Sequence, residues 1–307
     1  PDCRGSGQAA GGDGFVSIPL NEARTVAEAL RAATEVLGPR TDGARFDAEV
    51  LMAHALGASR SELFLKRMGD PVPPAFAALI ERRALHEPVA YITGHQNFFG
   101  LDFAVSPAVL IPRYDSEVLI EAALAAARQA RRVLDCGTGS GALLLTVLDH
   151  LPEAEGVGID RSPAALEVAR GNAERLGLAS RARLIAADWD APGWTAELGG
   201  PFDLILANPP YVEAEAELEP SVREHEPAGA LFAGPEGLDA YRVLIPQLPA
   251  LLAPGGTVLV EIGYLQAAAV GEIARLAGFA SRLHEDLGGR ARALELKIPL
   301  GKAESSA

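Results

Sequence analysis

Beyond residue 130 the chain alternates between two periodicities, and this alternation narrows the possible folds more than any other feature of its 307 residues. Runs at 132–135, 156–160, 182–186, 203–207 and 256–262 have the length and apolar continuity of buried strands. Between them, 140–149, 163–176, 238–252 and 264–277 carry apolar residues at helical spacing. Strands separated by helices predict a parallel sheet with crossover helices, an α/β doubly wound fold. The last two strand-like runs, 279–285 and 292–298, are joined only by Asp286-Leu287-Gly288-Gly289-Arg290. No helix fits between them, so this pair is expected to be antiparallel.

The first third of the chain reads differently. Thr25-Val26-Ala27-Glu28 and Ser59-Arg60-Ser61-Glu62 have the form of capping boxes, in which a hydroxyl and a carboxylate satisfy orphan N–H groups at a helix start. Gly38 is placed to stop the first helix, a second runs from Ala44 to Leu56 with Gly57 behind it, and a short one carries Leu63, Phe64 and Leu65. Pro73-Pro74 opens a further helix with Phe76, Leu79 and Ile80 on one face. Residues 20–90 are therefore expected to form a small helical bundle, which holds no catalytic constellation and reads as a packing or substrate-docking module. Tyr91–Gly94 and Phe98–Val105 look β-like, predicting a hairpin linker. Asp115 is expected to cap a helix from Ser116 to Ala130.

Composition restricts the partners. A formal net charge of −14 and a pI of about 4.9 count against a surface that grips phosphate backbone. No apolar run approaches the roughly 20 residues of a membrane helix. The two cysteines, Cys3 and Cys136, imply no disulfide framework and suit a reducing cytoplasm. The six histidines are scattered without metal-ligand spacing, so no metal is expected. A monomer is the expected state.

The chemistry sits at strand ends. Val133-Leu134-Asp135-Cys136-Gly137-Thr138-Gly139-Ser140-Gly141 lies where the first strand of the alternation turns into a helix, and its glycines let the backbone approach a ligand closely. Asp160 closes the second strand, where a carboxylate can accept hydrogen bonds from both ribose hydroxyls of a nucleoside. A dinucleotide enzyme would satisfy this much, because Gly137-x-Gly139-x-x-Ala142 also fits that fingerprint. Two features favour S-adenosylmethionine. Asp135 gives the form Asp-x-Gly-x-Gly-x-Gly, and Ala187-Asp188-Trp189 after the third strand offers an acceptor for an adenine amino group and an indole to lie against the ring. A parallel sheet closed by an antiparallel terminal hairpin is likewise the arrangement of a class I (Rossmann-like) S-adenosylmethionine-dependent methyltransferase.

The fourth strand, Phe202–Ala207, ends on Asn208-Pro209-Pro210-Tyr211, on the carboxyl side of the sheet where open α/β folds bind ligands. An amide or aromatic amino nitrogen is a poor nucleophile because its lone pair is delocalised. Acceptors for both of its N–H groups orient it and favour its pyramidal, attacking form. The Asn208 side-chain oxygen is one acceptor, the Pro209 carbonyl the second, and the prolines preorganise the backbone. Tyr211 can pack on the planar group. The loop alone admits an adenine-N6 or other amino nitrogen of DNA or RNA as well as a protein amide, and a cofactor-binding interaction protein without catalysis is a third reading.

With these motifs on the page, the chain resembles the HemK/PrmC family, the release factor glutamine methyltransferases. The resemblance begins near residue 20 and includes Arg45-Phe46-Asp47-Ala48-Glu49, Glu87-Pro88-Val89-Ala90-Tyr91-Ile92-Thr93-Gly94, Leu110-Ile111-Pro112-Arg113 and Asp286–Arg290. It implies methyl transfer from S-adenosylmethionine to the side-chain amide nitrogen (N5) of the glutamine in the Gly-Gly-Gln motif of class-1 peptide chain release factors. It further implies that Gly137, Thr138, Gly139, Ser140, Gly141, Asp160, Asp188, Trp189 and Asn208 contact the cofactor. Asn208, Pro209, Pro210 and Tyr211 would hold the glutamine, with Leu110–Arg113 lining its pocket. The family's usual Pro-Asp-Thr-Glu after Ile-Pro-Arg is here Tyr114-Asp115-Ser116-Glu117, which removes a helix-leading proline at the pocket rim. The expected division is a disordered extension at 1–19, the helical docking domain at 20–90, the hairpin linker at 91–107, the methyltransferase domain at 108–300 and a disordered tail at 301–307.

Overall fold

Thr25 opens the first helix as a capping box does: its hydroxyl accepts from Glu28 N, and the Glu28 carboxylate accepts from Thr25 N. The structure, a computed structural model, describes residues 23–299. The segments read as extension and tail, 1–19 and 301–307, lie outside the described residues. The chain divides into two compact units between Ile92 and Thr93.

The first unit is helical. It contains α1 (Val26–Leu37), α2 (Ala44–Ala55), α3 (Arg60–Glu62), which continues as a π-helical turn over Leu63–Arg67, α4 (Phe76–Ala84) and α5 (Val89–Thr93). Leu30, Leu37, Leu51, Met52, Leu63, Phe76 and Ile80 form its core. The Arg45–Glu49 segment has a structural reason for its residue types. The carboxylate of Asp47 pairs with Arg83 at 2.7 Å, and buried Glu49 is held by Arg45 at 2.9 Å and Arg60 at 2.6 Å. Gly38 does end α1, but with right-handed backbone (φ −50°) rather than the left-handed one. The β-like reading of Tyr91–Thr93 is corrected: these residues are helical. Pro88 starts that helix by accepting from Tyr91 N and Ile92 N, and Ile92 is buried in the helical core. Burial and a proline start override the local strand preference of Tyr, Ile and Thr.

The second unit begins with an antiparallel hairpin, β1 (His95–Phe98) and β2 (Leu101–Ala104). A 3₁₀ turn over Tyr114–Ser116 leads into α6 (Glu117–Ala126). Asp115 does not cap this helix: Arg292 draws its carboxylate into an ion pair at 2.7 Å, and Ser116 occupies the cap position. The helix also stops at Ala126, short of the expected Ala130, as the chain turns toward the sheet.

The elements that follow are β3 (Arg132–Cys136), α7 (Ala142–His150), β4 (Glu155–Asp160), α8 (Pro163–Arg175), β5 (Ala182–Ala186), β6 (Phe202–Ala207), the short α9 (Pro220–Arg223), α10 (Asp239–Leu244), β7 (Leu252–Glu261), α11 (Ala267–Leu276), β8 (Ala280–Glu285) and β9 (Ala291–Lys297). The strands form one seven-stranded sheet in the order β5-β4-β3-β6-β7-β9-β8. Strands β3 to β7 pair in parallel, and β9 runs antiparallel to both β7 and β8, which makes this a class I methyltransferase sheet with its terminal hairpin. The expected helix at 238–252 is interrupted: α10 gives way to a 3₁₀ segment over Ile245–Ala250, because Pro246 and Pro249 cannot donate to an α-helical ladder.

Successive strand residues face opposite sides of the sheet. Leu134, Ile205, Val258 and Val260 enter one apolar layer, and Val133, Leu204, Leu206 and Leu259 the other. Strands buried on both faces cannot slip in register without moving every side chain between layers. The register therefore fixes which residues meet at the carboxyl end.

Candidate active site

Cys136 on β3 is paired with Ile159 on one side and Ala207 on the other, so the next residues, Gly137, Asp160 and Asn208, emerge side by side at the end of the sheet. Ala207 in turn pairs with Val260, which brings Glu261 to the level of Asn208. Three segments far apart in sequence thereby share one cleft of about 520 Å³.

The glycine loop is shaped by backbone that side chains disfavour: Gly137, Gly139 and Gly141 have φ of 78°, 54° and 83°. The N–H groups of Gly137 and Thr138 both donate to Ile159 O, at 2.9 and 2.8 Å, anchoring the loop to β4. A Cβ at Gly137 would stand 3.1 Å from the Trp189 ring, so the missing side chain is what allows the indole to lie over the loop. Asp135 is fully buried beneath it and accepts from the Thr138 hydroxyl at 2.7 Å. Its place is structural, since it does not line the cleft. Burial pushes its carboxyl up to about 7, against the Thr138 hydrogen bond.

That shift sets a pH dependence. A raised carboxyl pKa means that the folded chain keeps a proton that the unfolded chain releases above about 3.8. Unfolding free energy should then fall as pH rises from about 4 to about 7, with an upper limit of about 4 kcal/mol for this group. Urea unfolding at several pH values checks it. Asp135→Asn should reduce that slope, buried Glu261 supplying the remainder, and an unchanged slope would show the attribution to be wrong.

Asp160 faces the cleft from the end of β4. Its Oδ2 accepts from Gly139 N at 3.0 Å and its Oδ1 from Ser162 N at 2.8 Å. Gly139 itself has open space where a Cβ would stand and lines the cleft. Asp188 and Trp189 line it from beyond β5. Gln247 holds this side in place, donating to Trp189 O at 3.1 Å and accepting from the Trp194 indole N–H at 2.6 Å. An open glycine turn, a carboxylate at the next strand end and an indole over the loop fit the adenosine portion of S-adenosylmethionine. Among the described residues no group of three or more His, Cys, Asp and Glu side chains could hold a metal ion.

Of the residues singled out in the sequence, Gly137, Thr138, Gly139, Ser140, Asp160, Asp188, Trp189, Asn208 and Pro210 line the cleft, as do Leu110–Arg113. Gly141, Pro209 and Tyr211 do not. Tyr211 points its hydroxyl at Glu261, 3.4 Å away. Tyr114 is exposed and also lies off the cleft.

Several residues that shape the site were not anticipated. Buried Glu226 binds Arg113 and accepts from Ile111 N at 3.2 Å, joining the Leu110–Arg113 wall to the segment after α9. Arg161, next to Asp160, donates to Gly229 O at 2.9 Å, and Pro227–Gly234 supplies another wall. Asn172 on α8 is wholly buried and ties the glycine loop to the hairpin: its amide donates to Ser140 O at 2.9 Å and Ala104 O at 3.0 Å, and its oxygen accepts from Ala104 N. Its position in a predicted helix face carries no such signal. Glu261 is buried at the end of β7, and burial pushes its carboxyl up to about 7.

Fold and site together define a class I S-adenosylmethionine-dependent methyltransferase. Comparison with known proteins narrows this class. Residues 28–94 match the PrmC N-terminal domain and 127–276 a methyltransferase domain. The chain belongs to the release factor glutamine methyltransferase family. It is 44% identical to the "Release factor glutamine methyltransferase" of Cereibacter sphaeroides over 281 residues, covering 89% of this chain and 98% of the relative. It is 46% identical to that of Moorella thermoacetica over 242 residues, covering 76% and 83%. Among solved structures, the catalytic domain of hMettl16 superposes with a TM-score of 0.53 at 17% identity, over 73% of this chain and 83% of that one, a likeness of fold alone.

Proposed function

We propose that this chain methylates the side-chain amide nitrogen (N5) of the glutamine in the Gly-Gly-Gln motif of class-1 peptide chain release factors. The observation that carries the reading is the convergence of Asn208 with the glycine loop and Asp160 in one cleft, in a chain whose relatives are named for glutamine methylation of release factors. S-adenosylmethionine supplies an electrophilic methyl carbon on a sulfonium. Gly137–Ser140 and Asp160 would hold its nucleoside, Asp160 as acceptor for the ribose hydroxyls and Asp188 and Trp189 toward the adenine, while Gly141 supplies the turn into α7. The Asn208 side-chain oxygen accepts one amide N–H and turns the nitrogen toward the methyl; the Pro209 carbonyl, which does not line the cleft, is the second acceptor only if the bound amide reaches past Asn208 to it. Placing the two atoms in line at near-attack distance is worth up to about 7–11 kcal/mol in favourable cases. The nitrogen lone pair would form the bond to the methyl carbon as the methyl–sulfur bond breaks, leaving S-adenosylhomocysteine, and the methylated nitrogen would lose its proton to water. No covalent intermediate is required.

The first unit serves as the docking domain for the release factor, and the net charge of −14 supports a protein rather than a nucleic acid as substrate. Among the described residues no helix is long and apolar enough to cross a membrane. The proposed substrate is a factor of translation, so the enzyme is proposed to work in the cytoplasm, as a monomer. The test is transfer of labelled methyl from S-adenosylmethionine to a purified release factor. Label should appear on the wild-type factor and vanish when the Gly-Gly-Gln glutamine is changed to alanine. Equal labelling of both would overturn the reading, and methylation of nucleic acid alone would replace it with the amino-nitrogen alternative.

A further inference from the structure

The Asn208–Tyr211 loop is held by a residue outside it. Every polar group of Tyr211 is engaged by protein: its N–H donates to Leu231 O at 3.1 Å, its carbonyl accepts from Gln266 Nε2 at 3.1 Å, and its hydroxyl faces Glu261 Oε1 at 3.4 Å. Gln266 is fixed in its turn, accepting from Gly263 N at 3.0 Å and donating to Gly237 O at 3.2 Å. Gly237 has a φ of +65°, and a Cβ there would collide with the Tyr211 carbonyl. Tyr211 is thus seized at both ends by the short stretch 261–266, and it does not line the cleft.

Glu261 is the unusual member. It is 3% exposed, and among the described residues it makes no ion pair and its Oε2 completes no hydrogen bond, the Ser116 hydroxyl beside it being likewise without a partner. A buried carboxyl with half of its acceptor capacity unmet is costly to stability, and hydrophobic residues of similar size would remove that cost. The register places it level with Asn208. Its backbone carbonyl accepts from the buried Tyr241 hydroxyl at 2.9 Å, so its own position is braced.

We propose that Glu261 is a positioning residue for methyl transfer: through the Tyr211 hydroxyl it sets the backbone of the loop that presents Asn208 to the substrate nitrogen. Tyr211 is then a strut beneath the loop rather than a wall that packs on the amide. A 3.4 Å hydroxyl–carboxyl contact is long, and contacts of this kind tighten when the substrate is bound. The inference rests on the methyl-transfer reading for its kinetic consequence but not for its structural one.

The experiment uses the full chain with Tyr211→Phe, Glu261→Ala, Glu261→Gln and the Tyr211→Phe/Glu261→Ala double variant. Three quantities are measured: kcat and KM with release factor, calorimetric affinity for S-adenosylmethionine, and amide hydrogen exchange over residues 208–212. Loss of one hydrogen bond to a charged or buried partner predicts a fall in kcat of about 10-fold for Tyr211→Phe and for Glu261→Ala. Cofactor affinity should stay within about twofold, and loop exchange should quicken in both. Glu261→Gln keeps an acceptor and should recover most of the loss. The double variant should be no worse than either single one, since both act through the same contact. A Tyr211→Phe enzyme with kcat and loop exchange at wild-type values would overturn the proposal, as would multiplying effects in the double variant or a Glu261→Gln as slow as Glu261→Ala. If Glu261→Ala does not fold, Tyr211→Phe, which removes a single oxygen, decides. Failure of the wild-type chain to label release factor would refute the proposed function while leaving the exchange measurement to judge the strut.

Discussion

Asn208→Ala should lower turnover on release factor by about 10²–10³-fold, the usual consequence of removing one preorganised hydrogen-bonding group from a transition state. The reason is geometric. Asn208 stands one residue beyond Ala207, whose pairing with Cys136 places it beside Gly137 at the mouth of the cleft. In the proposed mechanism its side-chain oxygen accepts from the amide and turns the nitrogen lone pair toward the methyl. Alanine leaves the backbone path and the neighbouring prolines in place, so cofactor affinity should change by no more than about threefold. Steady-state kinetics together with calorimetry on the same preparation checks both halves. A loss of cofactor affinity as large as the loss of turnover would show that Asn208 serves mainly to bind.

Asp160→Ala should show the opposite division. In the site it accepts from Gly139 N and Ser162 N, and its carboxylate faces the cleft at the end of β4. Removing it deletes the proposed charge-assisted acceptors for the ribose and leaves the N–H groups of Gly139, in the glycine loop, and Ser162, at the start of α8, without their partner. Hydrogen bonds to charged groups contribute about 1.5–3 kcal/mol each, so affinity for S-adenosylmethionine should fall by roughly 10–100-fold. Turnover at saturating cofactor should fall far less. Asp160→Asn retains one acceptor and should lie between. If both substitutions at 160 left affinity unchanged, the nucleoside would have to sit elsewhere in the cleft.

The glycine loop, Asp160, Trp189 and Asn208, which line the cleft, are legible in the sequence because each is a local event at or just beyond a strand end. A positive-φ turn needs glycine, a strand that ends on a polar residue presents it at the carboxyl edge, and both signals lie within a few residues. Local reading failed where a neighbour overruled propensity. Tyr91-Ile92-Thr93 favours a strand by composition, yet Pro88 and the burial of Ile92 make it a helix. The helical pattern at 238–252 breaks because two prolines withhold donors. Asp115 is drawn from its expected cap by Arg292, a residue supplied by the last strand.

The residues that brace the site were out of reach for a different reason. Glu226 meets Ile111 across 115 positions, Asn172 meets Ala104 across 68, and Glu261 meets Tyr211 across 50. No periodicity links such pairs: loop packing joins Glu226 to Ile111, a helix face meets the hairpin at Asn172 and Ala104, and only for Glu261 and Tyr211 does the register of the buried sheet set the meeting. By itself the sequence determined the alternation of strands and helices after residue 130, the positive-φ turn of the glycine loop and the place of Asn208-Pro209-Pro210-Tyr211 at the end of β6, because these depend on backbone preferences and short spacing. Only the tertiary structure decided that Tyr211 faces Glu261 and not the cleft, because the partner's position is set by how β6 and β7 align, and alignment is a property of the packed sheet.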